Sequence, residues 1–138
     1  MRTALVCVLA FALLAPPAAQ ARRTTLDIYV VDVEGGNATL FVSPSGESLL
    51  MDTGKGGVAA ARDADRIMAA VNDAGLTRID HLITTHWHSD HFGAMAALAG
   101  RIPIRHFIDH GPSVESQPAS DVFQKDTYPA CTPRRNTP

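Results

Sequence analysis

The sequence predicts an α/β fold, in which strands and helices alternate along the chain. Three observations support this prediction. Short β-branched and apolar runs are separated by stretches in which apolar residues recur at helical spacing. Glycine and proline signals for turns and helix ends bound these segments. The order strand, helix, strand, helix, strand implies that the later strands pair in parallel.

The first part of this domain is predicted to contain three strands. Residues 26–33 (LDIYVVDV) are apolar on both faces, which is typical of a strand buried on both sides, and residues 34–37 are a turn signal. Residues 38–42 and 48–52 form two further apolar runs. The short segment SPSGE between them favours pairing of these runs as a hairpin.

The apolar period changes after this hairpin. Between residues 58 and 74 the apolar residues recur at helical intervals, with charged residues largely opposite them, and Gly75 provides a stop signal. Three more elements are predicted, namely a strand, an alanine-rich helix and a strand, at residues 79–84, 92–99 and 102–108.

The two ends of the chain are predicted to lie outside this domain, which would span residues 22–110. Residues 1–21 have the features of a secretory signal: a charged start, an apolar run of 12 residues and a small-residue cleavage site ending at Ala21. The run is shorter than the roughly 20 residues that cross a bilayer. We therefore expect export to the periplasm or the medium with cleavage after Ala21, an uncleaved anchor being the alternative.

Residues 111–138 are predicted to be a proline-rich loop or a disordered tail. They contain five of the nine prolines and few large apolar residues. Cys131, in this segment, is the one cysteine left after cleavage, so no internal disulfide is expected. The processed chain has 11 basic and 14 acidic residues, a net charge of −3, which does not favour a nucleic-acid surface.

The strongest functional signal is the segment HWHSDH at residues 86–91. Its side chains include four donors that bind transition metals, His86, His88, Asp90 and His91. In an extended chain His86 and His88 point to the same side, and a turn into the next helix would carry Asp90 and His91 to the other side. Two metal ions could then lie close together. The alternatives are a solvated loop and, for Asp90 or Ser89, a helix cap.

This segment resembles a known family signature. The sequence IDHLITTHWHSDH at residues 79–91 is similar to the apolar strand and H-x-H-x-D-H motif of the metallo-β-lactamase-fold hydrolases. Residues 31–40 (VDVEGGNATL) and 50–54 (LMDTG) resemble the first strands of the branch that includes the extracellular hydrolase domain of competence proteins. The resemblance covers about residues 26–110 and implies the N-terminal half of an αββα sandwich.

The resemblance also implies roles for the site residues. His86 and His88 would bind one zinc ion, and Asp90 and His91 would bind a second. Asp90 would also orient the attacking water, which makes it the best catalytic candidate. Asp52, at a strand end, would brace the metal loop from behind. Iron is the alternative metal, since histidine and aspartate suit both.

The donors that would complete such a site are not recognisable downstream. Members of this family add a further histidine to each metal and usually a bridging acidic residue. After residue 91 the histidines are His106 and His110, of which His110 is a candidate pocket residue at the same sheet edge. The acidic residues after residue 91 are Asp109, Glu115, Asp121 and Asp126, and none of them lies in a recognisable second motif. We therefore expect a fragment with half of a two-metal site, in which residues 128–138 resemble out-of-frame sequence.

A glycine-rich segment before the first helix suggests a weaker alternative. Gly54-Lys55-Gly56-Gly57 lacks the spacing of a phosphate-binding loop, so a flexible turn is the better interpretation. Its backbone amides could nevertheless bind an anion near the site.

Three functions remain open from the sequence. The first is an exported zinc-dependent hydrolase, in which a metal-bound hydroxide attacks an ester, phosphodiester or lactam-type bond. The second is a truncated, non-catalytic metal-binding module, and the third is an inactive remnant that does not fold alone. A small-molecule or phosphodiester substrate is the expected partner, and zinc is the expected cofactor.

Overall fold

The structure is a computed structural model, and it describes residues 23–115 and 117–132. The predicted signal peptide, residues 1–21, lies outside the described residues. The strands of the described chain form one five-stranded sheet in the order of the sequence. They are β1 (Asp27–Val30), β2 (Thr39–Val42), β3 (Ser48–Met51), β4 (Ile79–Ile83) and β5 (Ile104–Ile108).

The first three strands form an antiparallel meander. β1 pairs with β2, with Tyr29 opposite Leu40, and β2 pairs with β3, with Leu40 opposite Leu50. The predicted hairpin between β2 and β3 is confirmed. Its turn is closed by backbone hydrogen bonds from Ser43 N to Glu47 O and from Gly46 N to Ser43 O (both 2.9 Å).

The last three strands are parallel, as the alternation of strands and helices predicts. β3 pairs with β4 and β4 with β5, with Leu82 opposite both Leu50 and Phe107. The helix α1 (Ala60–Asp73) connects β3 to β4, and two short helices, α2 (Ser89–Phe92) and α3 (Met95–Ala99), connect β4 to β5. The carboxyl ends of these three strands therefore lie at one edge of the sheet, where ligands bind in open α/β sheets.

The hydrophobic core lies between this sheet and the helices on one of its faces. The side chains of Leu40, Leu50 and Leu82 from the sheet are fully buried, as are Ile67 and Val71 of α1. These two positions are four residues apart and so lie on one side of the helix. Burial of each such side chain contributes about 1.5–3 kcal/mol.

The opposite face of the sheet carries exposed apolar side chains. Ile28 and Val30 of β1 are 54% and 82% exposed, and Ile108 of β5 is 43% exposed. The prediction that residues 26–33 form a strand buried on both sides is therefore wrong within the described residues. The sequence pattern shows that both faces of β1 are apolar. Which of the two faces is covered depends on the elements that pack against the sheet.

The helix predicted at residues 92–99 is divided into α2 and α3. The break lies at Gly93, whose N–H donates to the carbonyl of Gly54 (2.9 Å) rather than to the preceding helical turn. The carbonyl of Ser89, which such a turn would use, accepts the N–H of Gly56 (3.0 Å). Hydrogen bonds to the neighbouring glycine-rich segment thus replace those that would continue the helix.

The segment predicted as a loop or disordered tail is helical over residues 118–131. It comprises α4 (Pro118–Val122), a π-helical segment (Phe123–Thr127) and α5 (Tyr128–Cys131). Phe123 is 9% exposed, and the centroid of its ring lies 4.3 Å from that of Phe92. The expectation of a loop or disordered tail was wrong for these residues. It rested on the small number of large apolar residues, but a few aromatic rings bury a large apolar area. Residues 133–138 lie outside the described residues.

Two further expectations concern the described residues. No helix among them is long and apolar enough to cross a membrane.

Cys131 is a free thiol, and its partial burial raises the pKa of that thiol. A raised pKa keeps the group protonated and less nucleophilic.

The contact between Gly93 and Gly56 gives a test of the fold. A Cβ atom at position 93 would lie 1.9 Å from the backbone nitrogen of Gly56, although the φ of −62° at Gly93 suits any residue. We expect Gly93→Ala to lower the free energy of unfolding by about 3 kcal/mol or more through this steric conflict, as measured by denaturant unfolding. Gly100→Ala is the control because its added Cβ would meet nothing closer than 3.7 Å. Equal stability of the two variants would contradict the packing described here.

Candidate metal centre

The candidate site is the segment His86–His91, here called the metal loop, which follows β4 and includes the first three residues of α2. The backbone hydrogen bonds of the sheet continue almost to the start of the metal loop. Thr84 N donates to Ile108 O (2.9 Å), and Asp52 N donates to Ile83 O (2.8 Å). The metal loop therefore leaves the sheet at the carboxyl edge of the parallel strands. A loop fixed by strands on both sides can hold side chains in defined positions.

Three histidine rings of the metal loop lie together. The ring centroids of His86 and His88 are 4.5 Å apart, and those of His86 and His91 are 3.9 Å apart. His86 and His88 thus share a side, as their alternation predicts. The first turn of α2 brings the ring of His91 against that of His86, so the two expected pairs of donors lie close together.

The pKa of His86 is lowered by partial burial and by the adjacent rings of His91 and His88. Both causes disfavour the protonated form, since burial penalises charge and neighbouring imidazoles repel it. The ring is therefore held in its neutral form near pH 7, which is the form that can bind a metal.

Asp52 lies directly behind this cluster of rings. It follows β3, its side chain is 1% exposed, and its backbone has a φ of 61°, in the left-handed region that Asp and Asn tolerate better than most residues. Its carboxylate accepts hydrogen bonds from Thr85 N (2.8 Å), Thr85 Oγ1 (2.8 Å) and Asn37 Nδ2 (3.1 Å). The buried charge is thus compensated by several donors.

The fourth partner of this carboxylate is His91. Its Nδ1 lies 2.8 Å from Asp52 Oδ2. Donation of the Nδ1 proton to Asp52 would leave Nε2 as the nitrogen with a free lone pair. A carboxylate placed behind a metal-binding histidine commonly fixes the ring in this way. The contact agrees with the bracing role expected for Asp52.

The metal loop rests on two neighbouring turns that contain glycine. At Gly36, where φ is 126°, an added Cβ would lie 2.0 Å from the carbonyl oxygen of Asp90. Thr53 N donates to His91 O (2.7 Å) and Gly56 N donates to Ser89 O (3.0 Å). The absence of a Cβ at Gly36 lets its turn approach the backbone of Asp90 this closely.

These hydrogen bonds correct the interpretation of the glycine-rich segment. The amides of Thr53, Gly54, Lys55 and Gly56 donate to His91 O, Asn37 O, Asp63 Oδ2 and Ser89 O, respectively. They are occupied within the protein, so they do not form the open anion site that the sequence suggests. The segment serves as a support for the metal loop.

Asp90 and His110 lie near solvent. The Asp90 side chain is 42% exposed, and its Oδ2 lies 3.8 Å from His91 Nε2. No side chain caps α2, whose N-cap position is His88, so neither Ser89 nor Asp90 has the capping role considered above. His110 is exposed and follows the end of β5 by two residues. Its role in a pocket stays a prediction.

The donor types of the metal loop fit a transition-metal ion, and their arrangement fits in part. Imidazole and carboxylate are the ligands that zinc and iron accept in proteins. The rings are close in pairs, His86 with His88 and His86 with His91. Within the described ranges, however, no three His, Cys, Asp or Glu side chains form a group that could hold one ion. A catalytic zinc normally has three protein ligands.

Three residues at the site carry no assigned role in the sequence interpretation. Asn37 and Thr85 hold the Asp52 carboxylate, and Glu115 Oε2 lies 3.0 Å from His88 Nε2. The hydrogen bonds from His88 and Gln117 lower the pKa of Glu115. Asn37 and Thr85 stand inside the family-like segments and could have been noticed there. Glu115 stands 27 residues from its partner, and no local pattern marks it.

The Asp52 carboxylate provides a test of this architecture. We expect Asp52→Asn to lower the free energy of unfolding by about 2–3 kcal/mol, because its amide group would place N–H donors against Thr85 or His91. Asparagine also tolerates the left-handed backbone, so the variant isolates the hydrogen bonds. Denaturant unfolding measures the effect, and Asp73→Asn, at an exposed residue of α1, is the control. A loss of similar size in both variants would contradict the bracing role.

Curated relatives match part of this chain. A lactamase-like protein, notP, of Aspergillus sp. (strain MF297-2) and the atrochrysone carboxyl ACP thioesterase dmxR1 of Cryptosporiopsis sp. (strain 8999) are each 34% identical over 88 residues. An atrochrysone carboxyl ACP thioesterase of Aspergillus terreus is 32% identical over 88 residues. Each alignment covers 62% of this chain and 26% of the relative. The chain thus matches about a quarter of the length of these relatives.

The family profile covers more of the chain than these pairwise matches. The profile described as the metallo-beta-lactamase superfamily matches residues 31–128. This range includes β2 to β5, Asp52, the whole metal loop and the helical segment after residue 117 as far as residue 128. The mixed sheet with helices on one face and the H-x-H-x-D-H segment at its carboxyl edge agree with this match. The chain belongs to the metallo-beta-lactamase superfamily.

Proposed function

We propose that the chain contributes to a zinc-dependent hydrolase that cleaves an acyl bond of the ester or thioester class. The observation that carries this proposal is the cluster of His86, His88 and His91 against the buried Asp52 carboxylate at the sheet edge. Zinc, when bound, supplies a Lewis acid that activates water and stabilises negative charge on the reacting oxygen.

The side chains of the metal loop would have separate roles in binding metal and in accepting a proton. His86 and His88 would hold one ion through ring nitrogens, and His91 would hold a second with Asp90 beside it. Asp90 is the one carboxylate of the metal loop and is partly exposed, so it can reach a water molecule and accept its proton. Asp52 would keep His91 in the orientation in which Nε2 is available.

The choice of substrate class rests on the relatives. Two of those described above have thioesterase names, and each is 32% or 34% identical to this chain over 88 residues. The formal charge of −3 without residues 1–21 does not favour a polyanionic substrate. An acyl ester or thioester is therefore preferred here to a phosphodiester or a lactam.

A second candidate function is metal binding without turnover. It is favoured by the observation that no three donors among the described residues converge on one point. In that case the chain would bind zinc weakly through pairs of histidines. Turnover distinguishes the two candidates, because both require zinc binding and hydrolysis belongs to the first alone.

The proposal predicts zinc binding that depends on the metal loop and hydrolysis that depends on Asp90. We expect the chain purified without added metal to contain zinc by elemental analysis and to hydrolyse a small acyl thioester. Asp90→Asn should lower kcat by about 100-fold or more, since it removes the proton acceptor. Initial rates with the thioester, an oxygen ester and a model phosphodiester measure the preference among substrates.

Asp65→Asn is the control for this experiment. Asp65 lies on α1 and its side chain is 71% exposed, where it pairs with Arg101. It should leave kcat unchanged. Zinc binding without hydrolysis of any of the three substrates would favour the second candidate. The absence of zinc binding would refute both, and iron as the bound metal would refute the choice of zinc.

We also propose that the protein is exported and processed after Ala21. This proposal rests on the apolar run and the small residues that precede this position in the sequence. Intact-mass spectrometry of the protein from its native host should give a chain that begins at Arg22. A mature protein that retains Met1 or the apolar run would contradict cleavage at this site.

A further inference from the structure

Glu115 lies against the metal loop although it is remote in the sequence. Its Oε2 is 3.0 Å from His88 Nε2. The contact comes from the segment after β5, which the sequence interpretation treats as a tail without a site residue. A carboxylate in this position can orient the ring of a histidine that is expected to bind a metal.

The segment that carries Glu115 is attached to the metal loop at two other points. Trp87 Nε1 donates to Gly111 O (2.7 Å), and Ser120 Oγ donates to Trp87 O. Trp87 stands between the histidines His86 and His88 in the sequence. Gly111 and Ser120, which lie on either side of Glu115 in the sequence, are thus fixed to the same tripeptide whose last ring contacts Glu115.

Local hydrogen bonds also position Glu115 itself. Gln117 Nε2 donates to Glu115 Oε2 (3.0 Å), and Ser113 Oγ donates to Glu115 O (3.0 Å). Ser113 N donates in turn to Gln124 Oε1 (3.1 Å) in the helical segment. The carboxylate is therefore placed by its neighbours, even though the side chain is 63% exposed.

The three rings of the metal loop share one arrangement. In each of them one nitrogen faces a protein group: His86 Nδ1 faces Thr85 Oγ1 (3.1 Å), His91 Nδ1 faces Asp52 Oδ2 (2.8 Å) and His88 Nε2 faces Glu115. The other nitrogen of each ring is then the one available to a metal. For His88 that nitrogen is Nδ1, whereas for His86 and His91 it is Nε2.

We propose that Glu115 is a positioning residue of the metal site, which accepts the Nε2 proton of His88 and so leaves Nδ1 of His88 to bind the metal. It does for His88 what Asp52 does for His91. This inference rests on the proposed zinc function, because it assigns a role within that site. Removal of a carboxylate behind a metal-binding histidine typically lowers metal affinity by about 10- to 100-fold.

The chain contains a matched control for this contact. His81 Nε2 lies 3.0 Å from Glu47 Oε1, and Glu47 is 64% exposed, close to the value for Glu115. His81 belongs to β4 and stacks on His106 of β5 rather than on a ring of the metal loop. Glu47→Gln therefore removes the same charge from the same type of pair at a place without an assigned metal ligand.

Zinc titration of the full chain by calorimetry tests the proposal. We expect Glu115→Gln to raise the Kd for zinc about tenfold, whereas Glu47→Gln should change it less than twofold. Circular dichroism and denaturant unfolding of both variants should match the wild type, which excludes a loss of fold. Equal zinc affinity of Glu115→Gln and wild type would overturn the role of Glu115 and leave the proposed function in place. If the wild type does not bind zinc, both proposals fail.

The tautomer of His88, that is, which of its ring nitrogens carries the proton, can be measured directly. A merely structural role of Glu115 would not change it. In long-range proton–nitrogen NMR spectra of the metal-free chain, we expect Nε2 of His88 to be protonated and Nδ1 to be unprotonated. Glu115→Ala should mix the two tautomers at His88 and leave His81 unchanged, and Glu47→Ala should do the reverse. Identical His88 signals in wild type and Glu115→Ala would overturn the proposal.

Discussion

The buried carboxylate of Asp52 is the constraint on which the candidate site depends. A charge that is 1% exposed is costly unless donors surround it, and here the donors come from three separate segments of the chain. Asn37 lies before β2, Thr85 begins the approach to the metal loop, and His91 lies in α2. The need to compensate one charge therefore ties these segments together and sets the orientation of the His91 ring.

Close backbone contacts between glycine-containing turns complete this support. The metal loop is supported by Gly36, where an added Cβ would collide with the backbone of Asp90, and by the segment around Gly56, with which an added Cβ at Gly93 would collide. The same contacts divide the expected helix into α2 and α3. Rigid support of this kind matters for a metal site, because the ligands must hold their geometry before the ion arrives. The helical segment after residue 117 adds a second support through Trp87 and Phe123.

The sheet explains why the site is where it is and why one face remains apolar. Parallel pairing of β3, β4 and β5 brings the residues after each strand to one edge, so Asp52 and the metal loop meet although 34 residues separate Asp52 from His86. The helices cover one face of the sheet. The other face carries Ile28, Val30 and Ile108, which agrees with the two-layered sheet arrangement expected for this superfamily.

The sequence by itself determined the element order as far as β5, the hairpin, the parallel strands and the four candidate donors of the metal loop, since each has a local signature in spacing or residue type. Only the tertiary structure decided which face of β1 is covered, where the helix after the metal loop breaks, and that residues 118–131 are helical. It also decided that His91 lies against His86 and that Glu115 reaches His88. Those features depend on contacts between residues far apart in the chain, and such contacts leave no periodic or compositional pattern in the sequence.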